Sequence, residues 1–174
     1  MEAAEKCAQL EKAMIDYGDE LVRLAYTYVK DSYTAKDLVQ NAFIKCYEKI
    51  DSFREEATLK TWLYRITINE CKDYLKSWGH RKMQVFSFVQ DISIGSEGSA
   101  ESKVIQQSSN EEIREVVLNL PIKYKEIIFL YFYQSLKIEE IAEVTSLTSN
   151  TVKTRLRRGK QKLKSMMEEA EMYG

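Results

Sequence analysis

The chain has 174 residues, 44% of them hydrophobic and 30% charged, with a formal net charge of −1. This composition is ordinary for a soluble globular protein of one medium domain or two small ones, and the six Gly and one Pro favour helices. No apolar run is long enough to span a membrane, and the charged N-terminus lacks a signal-peptide core. One histidine and three distant cysteines argue against a zinc site or a disulfide framework and fit a reducing cytoplasm. Cys46 and Cys71 are predicted to fill a core.

A first long amphipathic helix is predicted by apolar residues that recur at steps of three and four. They are Leu10, Met14, Tyr17, Leu21, Leu24 and Tyr28. Asp31 and Ser32 interrupt the pattern, and Thr34 with Asp37 then resembles the start of a second helix, where an acidic side chain is favourable. The apolar face of this second helix comprises Leu38, Val39, Ala42, Phe43, Cys46, Tyr47 and Ile50.

A third helix is predicted from Leu59 to about Trp78, ending near Gly79. One face, with Leu63 at its centre, should pack on the first two helices. An adjacent face carries Trp62, Arg65, Asn69, Lys72 and Lys76. An aromatic ring, an amide and a line of cations suit unstacked bases and a sugar-phosphate chain. A core position explains Trp62 taken alone equally well, and a solvated face explains the two lysines taken alone better.

Periodicity fails after about Val85 in a segment rich in Ser, Gly and Gln. We therefore expect an all-α fold of two small helical domains, residues 8–82 and 111–170, joined by a flexible linker at 83–110. The second domain begins with a helix that ends at Leu120, and Pro121 suits the first turn of the next helix. That next helix is predicted to bury Ile127, Ile128, Tyr131 and Phe132.

The stretch from Leu136 to Leu163 has the pattern of a helix-turn-helix. Its first apolar stripe is Ile138, Ile141 and Ala142, and its second is Val152, Leu156 and Leu163. Between the stripes lies a short polar break, in which the hydroxyl of Thr148 can cap the second helix.

The second of these helices has a cationic outer face, formed by Lys153, Thr154, Arg157, Lys160 and Lys164. Seven Lys or Arg and no Asp or Glu lie between Thr145 and Met167. A solvated helix is the plainer alternative, but surface helices usually mix signs, so DNA binding in the major groove is favoured. The sequence contains no glycine-rich phosphate loop, nucleophile elbow or metal-ligand set. We therefore expect no enzyme activity, cofactor, metal or small-molecule substrate.

These stretches resemble the small bacterial sigma factors of the extracytoplasmic-function (ECF) type. The motifs are DLVQNAFIKCYEKIDSF at 37–53, TWLYRITIN at 61–69, NLP at 119–121, EEIAEV at 139–144 and NTVKTRLRRGKQKL at 150–163. They occur in the family's order across nearly the whole chain. The resemblance implies a cytoplasmic protein that binds core RNA polymerase and promoter DNA, both as duplex and as the single non-template strand. It also implies a stress or envelope regulon and a regulatory anti-sigma factor.

The resemblance also assigns roles to residues. Polymerase contacts would be Asp37, Gln40, Asn41 and Phe43. Single-stranded DNA of the minus-ten element would meet Phe53, Arg54, Trp62, Arg65, Asn69, Lys72 and Lys76. Duplex DNA of the minus-thirty-five element would meet Ser149, Asn150, Thr151, Lys153, Thr154, Arg157, Arg158 and Lys160.

Some positions depart from the family pattern. Asn41 replaces a common acid, and Ser146 and Asn150 replace glycines, although serine tolerates left-handed backbone poorly. Gly159 replaces a common alanine, which would loosen its helix by up to about 1 kcal/mol. The alternative from another class is a stand-alone helix-turn-helix regulator with an N-terminal effector or dimerisation domain, which would not need the motifs at 37–53 and 61–69.

Overall fold

The computed structural model describes residues 3–53, 57–89 and 109–173, and within those ranges regular structure is helical, without strands. This confirms the all-α fold class. The first half comprises α1 (Ala3–Val29), α2 (Ser32–Lys49), a 3-10 turn at Ile50–Ser52 and α3 (Leu59–Val89). The second half comprises α4 (Ser109–Leu118), α5 (Ile122–Ile128), a π-helical segment at Phe129–Tyr133, α6 (Ile138–Thr145) and α7 (Ser149–Tyr173).

Helices α1, α2 and α3 pack against one another around a core that includes Leu21, Leu24 and Leu63. The predicted apolar stripe of α1 is correct near its C-terminal end but wrong at Met14, which is 50% exposed while Ala13 is buried. Met14 instead lines a groove between α1 and α2.

Helix α2 begins earlier than the sequence pattern indicates. Asp31, predicted to be an interruption, is its N-cap, and Oδ2 of Asp31 accepts a hydrogen bond from the backbone N–H of Thr34 at 2.9 Å. The hydrogen bonds from Thr34 lower the pKa of the Asp31 carboxyl. A capping aspartate provides an acceptor for an otherwise unpaired amide of the first turn, so the predicted start at Thr34 is late.

Helix α3 is longer than predicted. It continues through Gly79 to Val89, so the expected end near Gly79 is wrong. Residues 83–89 and 109–110, assigned to the linker, are helical. A glycine inside a helix costs about 1 kcal/mol relative to alanine, which is too little to end a helix whose neighbouring turns are favourable. The remainder of the predicted linker, residues 90–108, lies outside the described residues.

The turn between α5 and α6 departs from the predicted register. Ile127 and Ile128 are buried as expected, but Tyr131 and Phe132 are 37% and 54% exposed, while Leu130 is fully buried. The cause is the π-helical segment Phe129–Tyr133, since its wider turn rotates the following side chains relative to an α-helix. An α-helical period therefore assigns the wrong residues to the core here.

Gly159 lies where α7 crosses α5. A Cβ atom at this position would meet Cγ1 of Ile128 at 3.2 Å and Cβ of Tyr124 at 3.3 Å. The glycine thus allows two helices to approach closely, a role that helix propensity alone does not reveal.

The two halves of the molecule pack together, a relationship that the sequence left open. Helix α3 contacts α6, helix α1 contacts α5, and one hydrophobic cluster includes buried residues of both halves. Cys46 and Cys71 belong to this cluster, as predicted. Burial raises the pKa of Cys46 to about 11 and that of Cys71 to about 12, so both thiols stay protonated at neutral pH.

Candidate nucleic-acid interface

The helix-turn-helix is formed by α6 and α7. Helix α6 ends at Ser146, which adopts the left-handed conformation, with φ 58° and ψ 36°. The N–H groups of Ser146 and Leu147 donate to the carbonyls of Glu143 and Ala142 at 3.4 and 3.0 Å. This pair of bonds is a Schellman motif, which ends a helix and turns the chain within two residues. The chain therefore reaches α7 through a short turn, as the sequence predicts.

Thr148 caps α7, also as predicted. Its Oγ1 accepts a hydrogen bond from the backbone N–H of Thr151 at 3.2 Å. Val152 and Leu156 are buried against the rest of the second half, which fixes the rotation of α7 about its axis. The opposite face is consequently held towards solvent.

That outer face is cationic and accessible. Lys153, Arg157, Arg158 and Lys160 are exposed, and none of them forms a salt bridge in the part of the chain that the structure describes. The remaining predicted contacts of this helix also lie at its start, with Asn150 exposed and Ser149, Thr151 and Thr154 half-buried. Further along, Lys164 pairs with Glu168 at 3.9 Å. Cations without a salt-bridge partner on the outer face of a helix-turn-helix are available for base edges and phosphates.

A second candidate surface lies on α3. Arg65, Asn69 and Lys76 are exposed on one face of the helix, while Trp62 and Lys72 are half-buried. The start of the helix is capped by Thr58, whose Oγ1 accepts from the backbone N–H of Thr61 at 3.2 Å.

The aromatic end of this surface is a pair of rings. The centroids of Phe53 and Trp62 are 5.0 Å apart, with an interplanar angle of 36°. Trp62 also packs against the hydrophobic cluster and is half-buried, so it contributes to the core while part of its side chain remains accessible. Arg54, the remaining predicted contact, lies outside the described residues.

Sequence reasoning missed a buried polar cluster next to this surface. Glu126, with 3% of its side chain exposed, lies 3.4 Å from Nζ of Lys72 and 3.5 Å from a guanidinium nitrogen of Arg155. The Tyr28 hydroxyl donates to the same carboxylate at 2.5 Å. Burial, and then the charge of Glu126, raises the pKa of Tyr28 well above its usual value. The partial signal in the sequence was an acid beside Ile127 and Ile128, where a core is expected.

The predicted polymerase-binding residues lie on α2. Asp37, Gln40 and Asn41 are exposed, whereas Phe43 is buried and contributes to the floor of a groove between α1 and α2. This groove has a volume of about 600 Å³ and an apolar lining that includes Met14 and Ile44, both about half exposed. Exposed apolar surfaces of this kind mark sites that bind proteins, membranes or small ligands.

The described residues offer neither a metal site nor a membrane span. No group of three or more His, Cys, Asp or Glu side chains in the described ranges is arranged to hold a metal ion. Among the helices described, none is long and apolar enough to cross a membrane.

A helix-turn-helix with a cationic second helix, packed against a helical unit with an aromatic and basic face, is typical of a DNA-binding protein. The family model for Sigma-70 region 2 matches residues 14–81, and that for Sigma-70, region 4 matches residues 110–163. The chain belongs to the ECF sigma factors of the sigma-70 family. It is a transcription initiation factor and not an enzyme, which decides against the stand-alone regulator.

Relatives span most of the chain. RNA polymerase sigma factor SigV of Bacillus subtilis is 33% identical over 151 residues, which cover 87% of this chain and 86% of that protein. ECF RNA polymerase sigma factor SigW of the same species is 31% identical and covers 87% of this chain and 84% of its own. The fold is similar to that of the sigma factor RpoE of Bartonella quintana, solved with the anti-sigma factor NepR. That similarity has a TM-score of 0.72 at 22% identity and covers 92% of this chain and 97% of RpoE.

Proposed function

We propose that three surfaces divide the work of promoter recognition. The exposed face of α2 and the adjacent groove bind core RNA polymerase, the outer face of α3 holds the displaced strand of the minus-ten element, and α7 binds the duplex of the minus-thirty-five element. The observation that carries the proposal is the run of exposed, unpaired cations at the start of α7, immediately after a well-formed helix-turn-helix. A helix placed in this way enters the major groove with its first turns.

The contact with polymerase is supported by polar and apolar features on one side of the molecule. Asp37, Gln40 and Asn41 provide an exposed polar edge, and the groove beside them offers Met14 and Ile44. A centre of apolar side chains with a polar rim is the usual anatomy of a protein interface. Phe43 contributes indirectly, because it is buried and forms part of the floor of the groove.

Binding of the displaced strand is supported by the residues exposed on α3. Arg65 and Lys76 can meet phosphates, Asn69 can donate to and accept from a base edge, and the rings of Trp62 and Phe53 offer a partner for stacking. Arg54 and Lys72 complete the set proposed from the family resemblance. Stacking and phosphate contacts offset the unstacking of the bases and need no catalytic group.

Duplex binding is assigned to the start of α7. Lys153, Arg157 and Arg158 are placed to meet base edges and adjacent phosphates, with Asn150 and Lys160 at the margins. Ser149, Thr151 and Thr154 complete the set and are positioned to approach the sugar-phosphate chain. Hydroxyl groups near a helix start commonly bind phosphates.

We also propose the setting in which the protein acts. Because core polymerase is cytoplasmic, the protein acts in the cytoplasm. An anti-sigma factor that covers the DNA- and polymerase-binding surfaces would inhibit it; the related fold of RpoE was solved in complex with the anti-sigma factor NepR. Residues 8–82 and 111–170 are proposed as two domains that can move apart. A stress or envelope regulon stays a prediction from the family.

The polymerase assignment is tested with a double variant that combines a charge reversal at Asp37, Asp37→Lys, with Gln40→Ala. Both side chains are exposed, so the fold should be kept while affinity for core polymerase falls about tenfold, because the variant removes two polar contacts at the rim and places the opposite charge there. The matched control is Glu115→Lys, a charge reversal at an exposed position of α4. Unchanged co-purification of the double variant with core polymerase would reject the assignment.

A further inference from the structure

The helices that carry the two proposed DNA-binding surfaces belong to halves that are in direct contact. Helix α3, with the minus-ten surface, packs against α6, the first helix of the helix-turn-helix. The axes of packed helices lie about 8–10 Å apart. In this arrangement the two surfaces are therefore separated by little more than the width of a helix or two.

Promoter DNA imposes a much larger separation. Elements named for positions minus ten and minus thirty-five lie about 25 base pairs apart, which is about 85 Å of duplex at 3.4 Å per base pair. This length is far below the persistence length of DNA, so bending does not bring the elements together cheaply. The closed arrangement of the chain cannot contact both elements at once, and the halves must separate first.

A buried polar contact holds the halves together. The Glu126 carboxylate, on α5 of the second half, accepts a hydrogen bond from the Tyr28 hydroxyl of the first half at 2.5 Å. It also lies 3.4 Å from Nζ of Lys72, again in the first half. Glu126 keeps one partner within its own half, Arg155, at 3.5 Å. We call this group of four side chains the Glu126 latch.

A second hydrogen bond joins the halves on another side of α3. The Tyr64 hydroxyl, fully buried in the first half, donates to Oε1 of Gln134 in the second half at 2.5 Å and lies 2.8 Å from Oε2 of Glu20. Lys30 and Asn119 add an exposed contact of 3.4 Å. The interface is thus fixed in register by polar pairs as well as by apolar packing.

The latch includes one side chain that is also assigned to DNA. Lys72 is part of the proposed minus-ten surface, whereas Arg155, on α7, is not among the proposed DNA contacts. A cation paired with Glu126 is not available to a phosphate. Closure of the latch and binding of the displaced strand therefore compete for Lys72.

The chemistry of the latch makes it easy to open. Burying a charged pair costs solvation, and that cost largely offsets the attraction between the charges. When the halves separate, Glu126 regains water and retains Arg155, so opening leaves no buried charge without a partner. A contact of this kind gives a closed state of defined register that a modest binding energy can displace.

We propose that the Glu126 latch keeps the free chain closed and suppresses its simultaneous contact with both promoter elements until the latch opens. This inference rests on the proposed roles of α3 and α7. Only the open fraction of molecules can contact both elements. The apparent affinity of the chain for a promoter is therefore reduced in proportion to that fraction.

The test uses the full chain with two variants that weaken the latch in different ways. Tyr28→Phe removes a hydrogen-bond donor and no charge, so any gain in DNA binding cannot come from altered net charge. Glu126→Gln removes the carboxylate and releases Lys72. The matched controls are Tyr33→Phe and Glu115→Gln, which make the same chemical changes at exposed positions outside the latch. Circular dichroism and thermal melting identify variants that fold.

Two measurements are made on each protein. Small-angle scattering gives the radius of gyration, about 16 Å for a compact chain of this length, and should rise by about 3 Å or more in the latch variants. Affinity is compared for two probes: a minus-thirty-five duplex alone, and the same duplex continued into a single-stranded minus-ten region. The affinity for the second probe should be about threefold to tenfold higher in the latch variants than in the wild-type chain, since contact with both elements becomes possible.

The outcomes separate the latch from the proposed function. If the wild-type chain is already extended in solution, or if both latch variants match their controls in scattering and in affinity, the latch is wrong. If no protein prefers either probe to a scrambled one, the DNA-binding assignments of α3 and α7 are wrong instead. If DNA affinity rises only in Glu126→Gln, and the radius of gyration does not change, the rise is a simple charge effect and the closed-state proposal is wrong.

Discussion

Nζ of Lys125 donates a hydrogen bond to the backbone carbonyl of Leu118 at 3.2 Å, from a residue that is only 2% exposed within the second half. Burial, with a smaller contribution from the charge of Lys30, lowers the pKa of Lys125 to about 8. A buried lysine with a lowered pKa is a cost to the folded state wherever the group is protonated.

The stability of the protein should therefore contain a pH-dependent contribution from Lys125. Between about pH 8 and pH 10.5 the unfolded chain binds the proton that the folded chain has lost, so stability from this group rises with pH across that window. Lys125→Met should be the more stable protein at pH 7, by about 1 kcal/mol or more. Its advantage should shrink towards pH 10.

Denaturant unfolding of both proteins at several pH values checks this prediction. The difference between the two curves is the useful quantity, because the raised pKa values of Cys46, Cys71 and Tyr64 lower stability at high pH in both proteins alike. A difference that is constant from pH 7 to pH 10 would contradict the lowered pKa of Lys125.

Ser146→Gly should stabilise the protein. Ser146 holds the left-handed conformation that ends α6, which a residue with a Cβ adopts at a cost and glycine adopts freely. The gain should be about 1 kcal/mol, or roughly 2–4 °C in Tm for a chain of this size. The control Ser165→Gly, at an exposed site within α7, should lower Tm instead, because glycine disfavours a helix interior. A loss of stability in both variants would mean that the Ser146 side chain has a stabilising role of its own.

Asn69→Ala should weaken binding of the polymerase holoenzyme to a single-stranded minus-ten oligonucleotide by about fivefold to tenfold, the equivalent of about one net hydrogen bond. It should also change which base is preferred at one position, since an amide can distinguish base edges. Lys60→Ala is the control, because Lys60 projects from the other side of α3 and pairs with Glu20 at 3.3 Å. If affinity and preference are both unchanged at Asn69, the outer face of α3 does not bind bases.

Arg157→Ala and Lys164→Ala should have different effects on binding to the minus-thirty-five duplex. Arg157 is near the start of α7, so its loss should reduce discrimination between matched and altered duplexes by about 1–3 kcal/mol. Lys164 lies two turns further on, beside Glu168, and its loss should weaken both duplexes alike and lower the salt slope by about one unit. Salt titrations of holoenzyme binding distinguish the two. Equal losses on matched and altered duplexes for Arg157→Ala would show that it supplies charge without reading bases.

Local chemistry determined much of the second half. The apolar stripes of α6 and α7, the cap at Thr148 and the left-handed turn at Ser146 all depend on residues within a few positions of one another. Interactions of this range leave a direct trace in sequence spacing. For the same reason the cationic face of α7 was predictable, and the structure places it at the surface.

The predicted helix bounds and core residues were wrong where two local sequence signals favoured different structures. The N-cap at Asp31 is a local signal that a competing interpretation as an interruption concealed. The continuation of α3 through Gly79 shows that a glycine does not end a helix unless the flanking residues also favour a turn. The π-helical segment at Phe129–Tyr133 changes the period, so a 3.6-residue repeat assigns the wrong side chains to the core there.

Only the tertiary structure decided how the two halves meet. Tyr28 and Glu126 are 98 residues apart, and Tyr64 and Gln134 are 70 apart. No periodic pattern relates side chains at such separations, since their contact depends on how whole helices pack. A buried glutamate with partners from three other helices therefore looked, in the sequence, like one more charged residue on a helix surface. The sequence determined which helices form and which face of α7 is cationic, and the packing of α3 on α6 and of α1 on α5 determined which of those charges are free.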